Sequence, residues 1–255
     1  MSETKFTFYQ NPNGPKIGTS SAPIIEQDGL YFKDLARTGA LPPYEDWRLD
    51  ADSRAKDLAS RLSVEEIAGL MMYSPHQMVP ALPGSPFPAT YGGKSFLESG
   101  KDPWDLSDQQ ILLLERDRIR HILAMKLQDA ETAAKWSNQL QHAAEELPWG
   151  IPVNISSDPR HGASKAGAEY KSGGCDVSKW PEGLGIAATF SPQVCRELGN
   201  AISKEYRAMG ITTALSPQVD LATEPRWMRF EDTFGTNPDQ VTELGKIYCD
   251  SLQTT

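Results

Sequence analysis

The chain has 255 residues, 39% hydrophobic and 23% charged, with 39 prolines and glycines taken together, a composition that excludes collagen and disorder and places it among globular proteins. Twenty-five basic residues against 34 acidic ones give a net charge of −9, and no basic stripe offsets it, so nucleic acid is not an expected partner. No apolar run approaches the ~20 residues that a bilayer-spanning helix needs, so no membrane is expected either.

The N-terminal stretch MSETKFTFYQ lacks an apolar core and a small-residue cleavage site. A cytoplasmic location is therefore expected, or a periplasmic or secreted one if a leader has been removed. Residues 1–46 carry Pro, Gly, Asn and Ser with little periodicity and read as an irregular arm ahead of a domain over 47–255. Within the arm, Asp34, Gly39 and Glu45 have the spacing of a calcium loop, but Ala36 and Thr38 replace two of its ligands, and a turn is the better reading. Cys175, Cys195 and Cys249 lie far apart without a Cys-x-x-Cys pair and read as free thiols. The four histidines include no pair at helical metal spacing, so no metal site is expected.

The first helix is expected from Ser63, where Ser63 and Glu66 form a capping box worth on the order of 1 kcal/mol, to Met72. A fourth, weaker strand is placed near 70–73, and 75–100 reads as a long loop. From Asp105 the pattern alternates helix with short apolar run, which signals βαβ units around a parallel sheet. A helix over 107–117 leads to a strand at 120–126 (RHILAMK). A helix over 129–147 puts Ala133, Trp136, Leu140, Ala143 and Leu147 on one face. The strand 151–157 (IPVNISS) follows, then a loop of some 30 residues. Ser191 and Pro192 open a helix that ends at Gly210, 211–215 is a strand, and Asn237 and Pro238 open the last helix. The count implies an α/β fold holding about the first half of a (β/α)8 barrel of the TIM type. No Gly-x-Gly-x-x-Gly or phosphate loop supports nucleotide binding, and Ser156 and Ser157 lack a nucleophile elbow.

Both long loops leave strand ends, the edge where α/β sheets and barrels bind ligands. One begins Ser157-Asp158-Pro159-Arg160-His161-Gly162; the other packs Asp220, Glu224, Arg226, Trp227, Arg229, Glu231 and Asp232 into QVDLATEPRWMRFEDTF. Asp, Arg and Trp suit a sugar, whose vicinal hydroxyls a carboxylate accepts from and an Arg donates to, while an indole lies on its apolar face. The competing reading makes Asp158 and Arg229 a structural ion pair and Trp227 a core plug. His161 reads as a hydrogen-bonded loop histidine rather than a general base, because no nucleophile lies beside it in sequence.

At these residues the chain resembles the N-terminal barrel domain of family 3 glycoside hydrolases. GIPVNISSDPRHG, WPEGLGIAATFSP and EYRAMGITTALSPQVDLATEPRWMRFEDTFGTNP carry the resemblance, with YEDWR and RLSVEEIAGLM ahead of them. It implies retaining hydrolysis of β-linked glucose or xylose, in oligosaccharides or aryl glycosides, and no cofactor. Asp158 resembles the carboxylate that grips the terminal sugar. Arg229 resembles the second arginine of an Arg-Trp-Gly-Arg motif, which contacts the same sugar, and Arg226 the first, whose expected part is structural rather than direct, with Met228 in place of the glycine and Thr236-Asn237 in place of Glu-Asp. The family's Lys-His pair, nucleophile and acid/base find no match here. The resemblance thus implies a truncated barrel with no assignable catalytic residue, inactive alone. A non-catalytic sugar-binding or interaction fragment is the alternative. Two unpaired sheet edges imply self-association or a complementing C-terminal half.

Overall fold

A computed structural model describes residues 4–159, 161–162 and 176–254. The chain forms two compact units: Met1–Pro75, Ala81–Ile122 and Lys135–Asn154 make one, and His76–Pro80, Leu123–Ala134 and Ile155–Thr255 the other. A four-stranded sheet in the order β5-β6-β7-β8 is built from β5 (Tyr73–Val79), β6 (His121–Leu127), β7 (Asn154–Ser157) and β8 (Thr213–Ala214). The division into units passes through β5, β6 and β7 and through helix α5 (Ala130–Glu146). β7 and β8 run parallel, with Ser156 opposite Thr213 and Ser157 opposite Ala214. The fold is α/β, as the alternation of elements implies.

In the first unit, the stretch read as an irregular arm instead holds two hairpins. β1 (Thr7–Gln10) pairs antiparallel with β2 (Lys16–Thr19), and β3 (Ile24–Gln27) with β4 (Leu30–Lys33). The second is closed by Asp28 and Gly29, both with positive φ. That is the Asp-Gly signature of a tight hairpin turn whose twist suits the flanking strands. Asn11, 1% exposed, ties the two hairpins: Nδ2 donates to the carbonyls of Pro15 and Tyr31 at 3.0 and 3.1 Å, and Oδ1 accepts from Tyr31 N–H at 2.6 Å. The Asp34 to Glu45 loop is a turn. Asp34 accepts from the N–H groups of Thr38 and Gly39, both at 2.9 Å, and Glu45 from that of Ala36 at 2.7 Å.

Helix α1 (Ala51–Ala59), absent from the sequence reading, is capped by Asp50, which accepts from Ser53 N–H at 2.9 Å. In α2 (Val64–Leu70) both halves of the expected capping box form, Glu66 N–H to Ser63 Oγ at 3.2 Å and Ser63 N–H to Glu66 at 2.8 Å. The strand placed near 70–73 lies further on, at β5, and the supposed loop over 75–100 therefore begins in a strand. It also holds α3 (Phe96–Ser99). Pro75 and His76 disguised β5, since proline is rare within strands except at a sheet edge, the place β5 occupies. Helix α4 (Asp108–Glu115) repeats the capping box with Ser107 and Gln110. Trp136 of α5, 1% exposed, donates its indole N–H to Gln110 at 3.2 Å. On α5 the buried residue is Ala144, not the expected Ala143.

In the second unit, α6 (Gly183–Ala187) was not foreseen, while α7 (Pro192–Ala208) and α8 (Pro238–Gln253) both start at the Pro-opened positions read from sequence. α7 buries Cys195, Leu198, Gly199, Ile202, Ser203 and Tyr206 on one stripe at helical spacing. A Cβ on Gly199 would lie 2.5 Å from Cβ of Ser251 on α8, so the helices approach closely there. Cys195 and Cys249 are free thiols, and burial pushes that of Cys195 up to about 11. Cys175 lies outside the described residues. Among these residues no helix is long and apolar enough to cross a membrane.

Candidate functional site

Four segments of the second unit converge beyond the end of β7. Asp158 leaves the strand, His161 and Gly162 follow, Trp180 to Gly183 lead into α6, and Leu215 to Gln218 continue from β8; Arg229 to Asp232 and Phe234 complete the ring. They line a cleft that opens to solvent. Among its described residues the ionisable side chains are Asp158, His161, Glu182, Arg229, Glu231, Asp232 and Tyr248. Four carboxylates against one arginine disfavour an anionic ligand and suit a neutral one rich in hydroxyls, to which carboxylates offer acceptors.

Two glycines let the walls close. A Cβ on Gly162 would stand 2.1 Å from Oε1 of Glu182, and one on Gly183 would stand 2.2 Å from the carbonyl oxygen of Asp232. The loop carrying Asp158 is held from beneath by α7. Tyr206 donates its phenol to the Asp158 carbonyl, and His161 Nε2 lies 2.9 Å from Glu205, which also accepts from Ser178 N–H at 2.9 Å. The His161 carbonyl accepts from Trp180 N–H at 2.7 Å.

His161 is 2% exposed. Burial pushes its imidazole below the ordinary value, and Glu205 only partly offsets this, so the ring is neutral. Burial acts to raise the Glu205 carboxyl, but the hydrogen bonds from Ser178, with that from His161, outweigh it and hold the group below its usual range. Nε2 then carries the proton, assigned from this network, and Nδ1 is a buried lone pair with no partner among the described residues. A histidine so bound is an anchor for its loop.

Of the residues singled out from sequence, Asp158, His161 and Arg229 line the cleft. Arg226 does not: its side chain is 88% exposed and bonds Glu224 at 2.8 Å. Trp227 is half-buried, is not among the lining residues and does not plug a core. The indole at the cleft is Trp180, which lies in the WPEGLG string but was not chosen from it. Glu205 and Tyr206 were missed as well. Their signal was available only as position on α7, one turn before its end, where a helix that packs under a strand-end loop can reach that loop.

A periplasmic β-glucosidase/β-xylosidase of Dickeya chrysanthemi is 39% identical over 238 residues, covering 93% of this chain and 34% of the relative. β-Glucosidase C of Emericella nidulans is 34% identical over 222 residues, covering 86% and 32%. The chain thus spans about a third of the length of these curated relatives. Among solved structures, a β-glucosidase from Erythrobacter marinus matches with a TM-score of 0.59 at 23% identity, over 82% of this chain and 24% of that one. A β-N-acetylhexosaminidase from Beutenbergia cavernae matches with a TM-score of 0.54 at 18% identity, over 75% and 51%. Likeness at that identity bears on the fold alone. The family model of the glycosyl hydrolase family 3 N-terminal domain matches residues 105–255, more than half of the chain, and the chain belongs to that family.

Proposed function

We propose that this chain supplies the sugar-holding part of a glycoside hydrolase site for terminal β-linked glucose or xylose. The observation that carries the reading is the convergence of Asp158, Arg229 and the indole of Trp180, far apart in sequence, on one cleft beyond a strand end. In this reading Asp158 accepts from two hydroxyls of the terminal sugar, Arg229 donates to a ring substituent, and water leaves the apolar face against the indole. Arg226 acts only by shaping the loop. The sheet β5-β6-β7-β8 is the opening part of a (β/α)8 barrel that takes in residues 47–255. Its outer strands, β5 and β8, are where a complementing polypeptide or a second copy would add.

Retaining hydrolysis needs two carboxylates about 5 to 5.5 Å apart across the scissile bond. We assign neither to this chain. Binding and turnover are therefore separate tests. The purified chain is expected to bind methyl β-D-glucopyranoside, to lose that binding in Asp158→Asn, and to release no chromophore from a nitrophenyl β-glucoside. Turnover by the chain alone would refute the assignment of both carboxylates elsewhere. Equal binding by wild type and Asp158→Asn would refute the role of Asp158.

A further inference from the structure

We propose that Glu205 and Tyr206 of α7 are positioning residues for the sugar-holding carboxylate: they set the affinity of the cleft without touching its ligand. This rests on the reading of Asp158 given above. Adjacent on one helix, the two side chains hold the Asp158 loop at two separate places. Tyr206 fixes the backbone of Asp158 itself through its carbonyl, and Glu205 fixes His161, three residues on, through Nε2 at 2.9 Å. Glu205 also receives the N–H of Ser178, on the segment that returns to the cleft through Trp180, at 2.9 Å. Tyr206 is buried, and its ring packs against that of His161 with centroids 5.5 Å apart, so both anchors belong to one packed cluster.

The strand side holds the preceding residue. Ser157 O accepts from Leu215 N–H at 3.0 Å, which fixes the residue before Asp158, and Ser157 Oγ reaches the Asp158 carbonyl at only 3.2 Å. Beyond β7 the backbone of Asp158 is thus held from α7 as well. A carboxylate that must accept from two vicinal hydroxyls tolerates little rotation, because a bidentate contact loses one bond when the group turns.

The test uses the 255-residue chain and methyl β-D-glucopyranoside, with binding followed by calorimetry and the His161 ring followed by ¹⁵N NMR. Tyr206→Phe removes one hydroxyl, and Glu205→Ala removes the oxygen that accepts from both His161 Nε2–H and Ser178 N–H. Each is expected to weaken binding by roughly tenfold, the scale of one lost oriented hydrogen bond. Glu205→Ala should also shift the His161 Nε2 resonance in the spectrum, since it removes that nitrogen's partner. Ser63→Ala, which removes a helix cap remote in sequence and weakens the fold without touching the loop, should bind as wild type does. Wild-type affinity in both α7 variants, with binding lost in Asp158→Asn, overturns the inference while leaving the reading of Asp158 intact. Weakened binding in Ser63→Ala to the same extent also overturns it, because general destabilisation then explains the loss. Binding unchanged in Asp158→Asn overturns the functional reading and the inference with it.

Discussion

Glu145 of α5 is an electrostatic node of the first unit. Its side chain is 5% exposed and accepts from the N–H groups of Ser20 and Ser21 at 2.7 and 2.8 Å, from Ser20 Oγ at 2.5 Å and from Lys33 Nζ at 2.7 Å. Burial alone would raise its carboxyl, but the hydrogen bonds from Lys33, Ser20 and Ser21 outweigh that and hold it at about 2, against the ordinary 4.5. At about 1.4 kcal/mol per pH unit the difference bounds the contribution near ~3 kcal/mol. Lys33 remains 29% exposed, and screening there brings the expected value down to about 2 kcal/mol. Because the folded-state value is depressed, this stability is present above pH 4.5 and is lost as pH falls toward 2. Glu145→Gln should therefore unfold in urea with a stability about 2 kcal/mol below wild type at pH 7. The gap should close as both are titrated from pH 4.5 toward 2. A gap that stays constant over that range would refute the electrostatic account and leave only lost packing.

Three further outcomes follow from the same coordinates. Gly183→Ala meets a backbone oxygen at 2.2 Å, whereas Gly162→Ala meets the movable end of Glu182 at 2.1 Å; urea unfolding should show a cost of about 2 to 3 kcal/mol for the first and about 1 kcal/mol for the second, and equal costs would show that Glu182 cannot yield. His161 should be less than half protonated at pH 6.5, where a free imidazole is half protonated. Its contribution is complete above pH 6.5 and declines as pH falls below it, since burial lowers the folded-state value; an NMR titration giving a midpoint above 6.5 would contradict this. Trp136→Ala should cost about 4 kcal/mol by leaving a cavity and removing the indole hydrogen bond to Gln110, and a loss under about 1 kcal/mol would show that the site collapses.

Where the sequence carried local signals, the elements were legible. Ser63 with Glu66, Ser191 with Pro192 and Asn237 with Pro238 each mark a helix start that the structure places within a residue or two, because caps act over one turn and need no tertiary context. Asp28-Gly29 was an equally local signal, and reading the first 46 residues as irregular overlooked it. Other features were not local. β5 contains a proline and is tolerated at the sheet's edge, a position that only the assembled sheet defines. Ala144 rather than Ala143 is buried because the direction of α5's inner face depends on what packs there. In the cleft, Asp158 and Arg229 were visible as polar residues at strand ends. Glu205, Tyr206 and Trp180 were not, because their part depends on where α7 and the returning segment lie in space.

Charge density was the misleading signal. The loop over 218–234 concentrates acidic and basic residues, and sequence reading gave Arg226 weight on that account. Yet Arg226 and Glu224 satisfy each other in open solvent, as Arg116 and Asp117 do on another exposed surface, and such pairs contribute little to stability or recognition. Glu145 and Glu205 are ordinary glutamates in their sequences, each within a helix and without a motif. Glu145 is buried and Glu205 part-exposed, and both accept backbone N–H groups from segments outside their own helix, Ser20 and Ser21 for one and Ser178 for the other. A carboxylate used in that way fixes the path of a chain, since a loop N–H deprived of it would be left buried and unpaired. The structural weight of a charge here is thus set by which backbone it holds, and α7 in the same way bonds the backbone that carries Asp158 at the cleft.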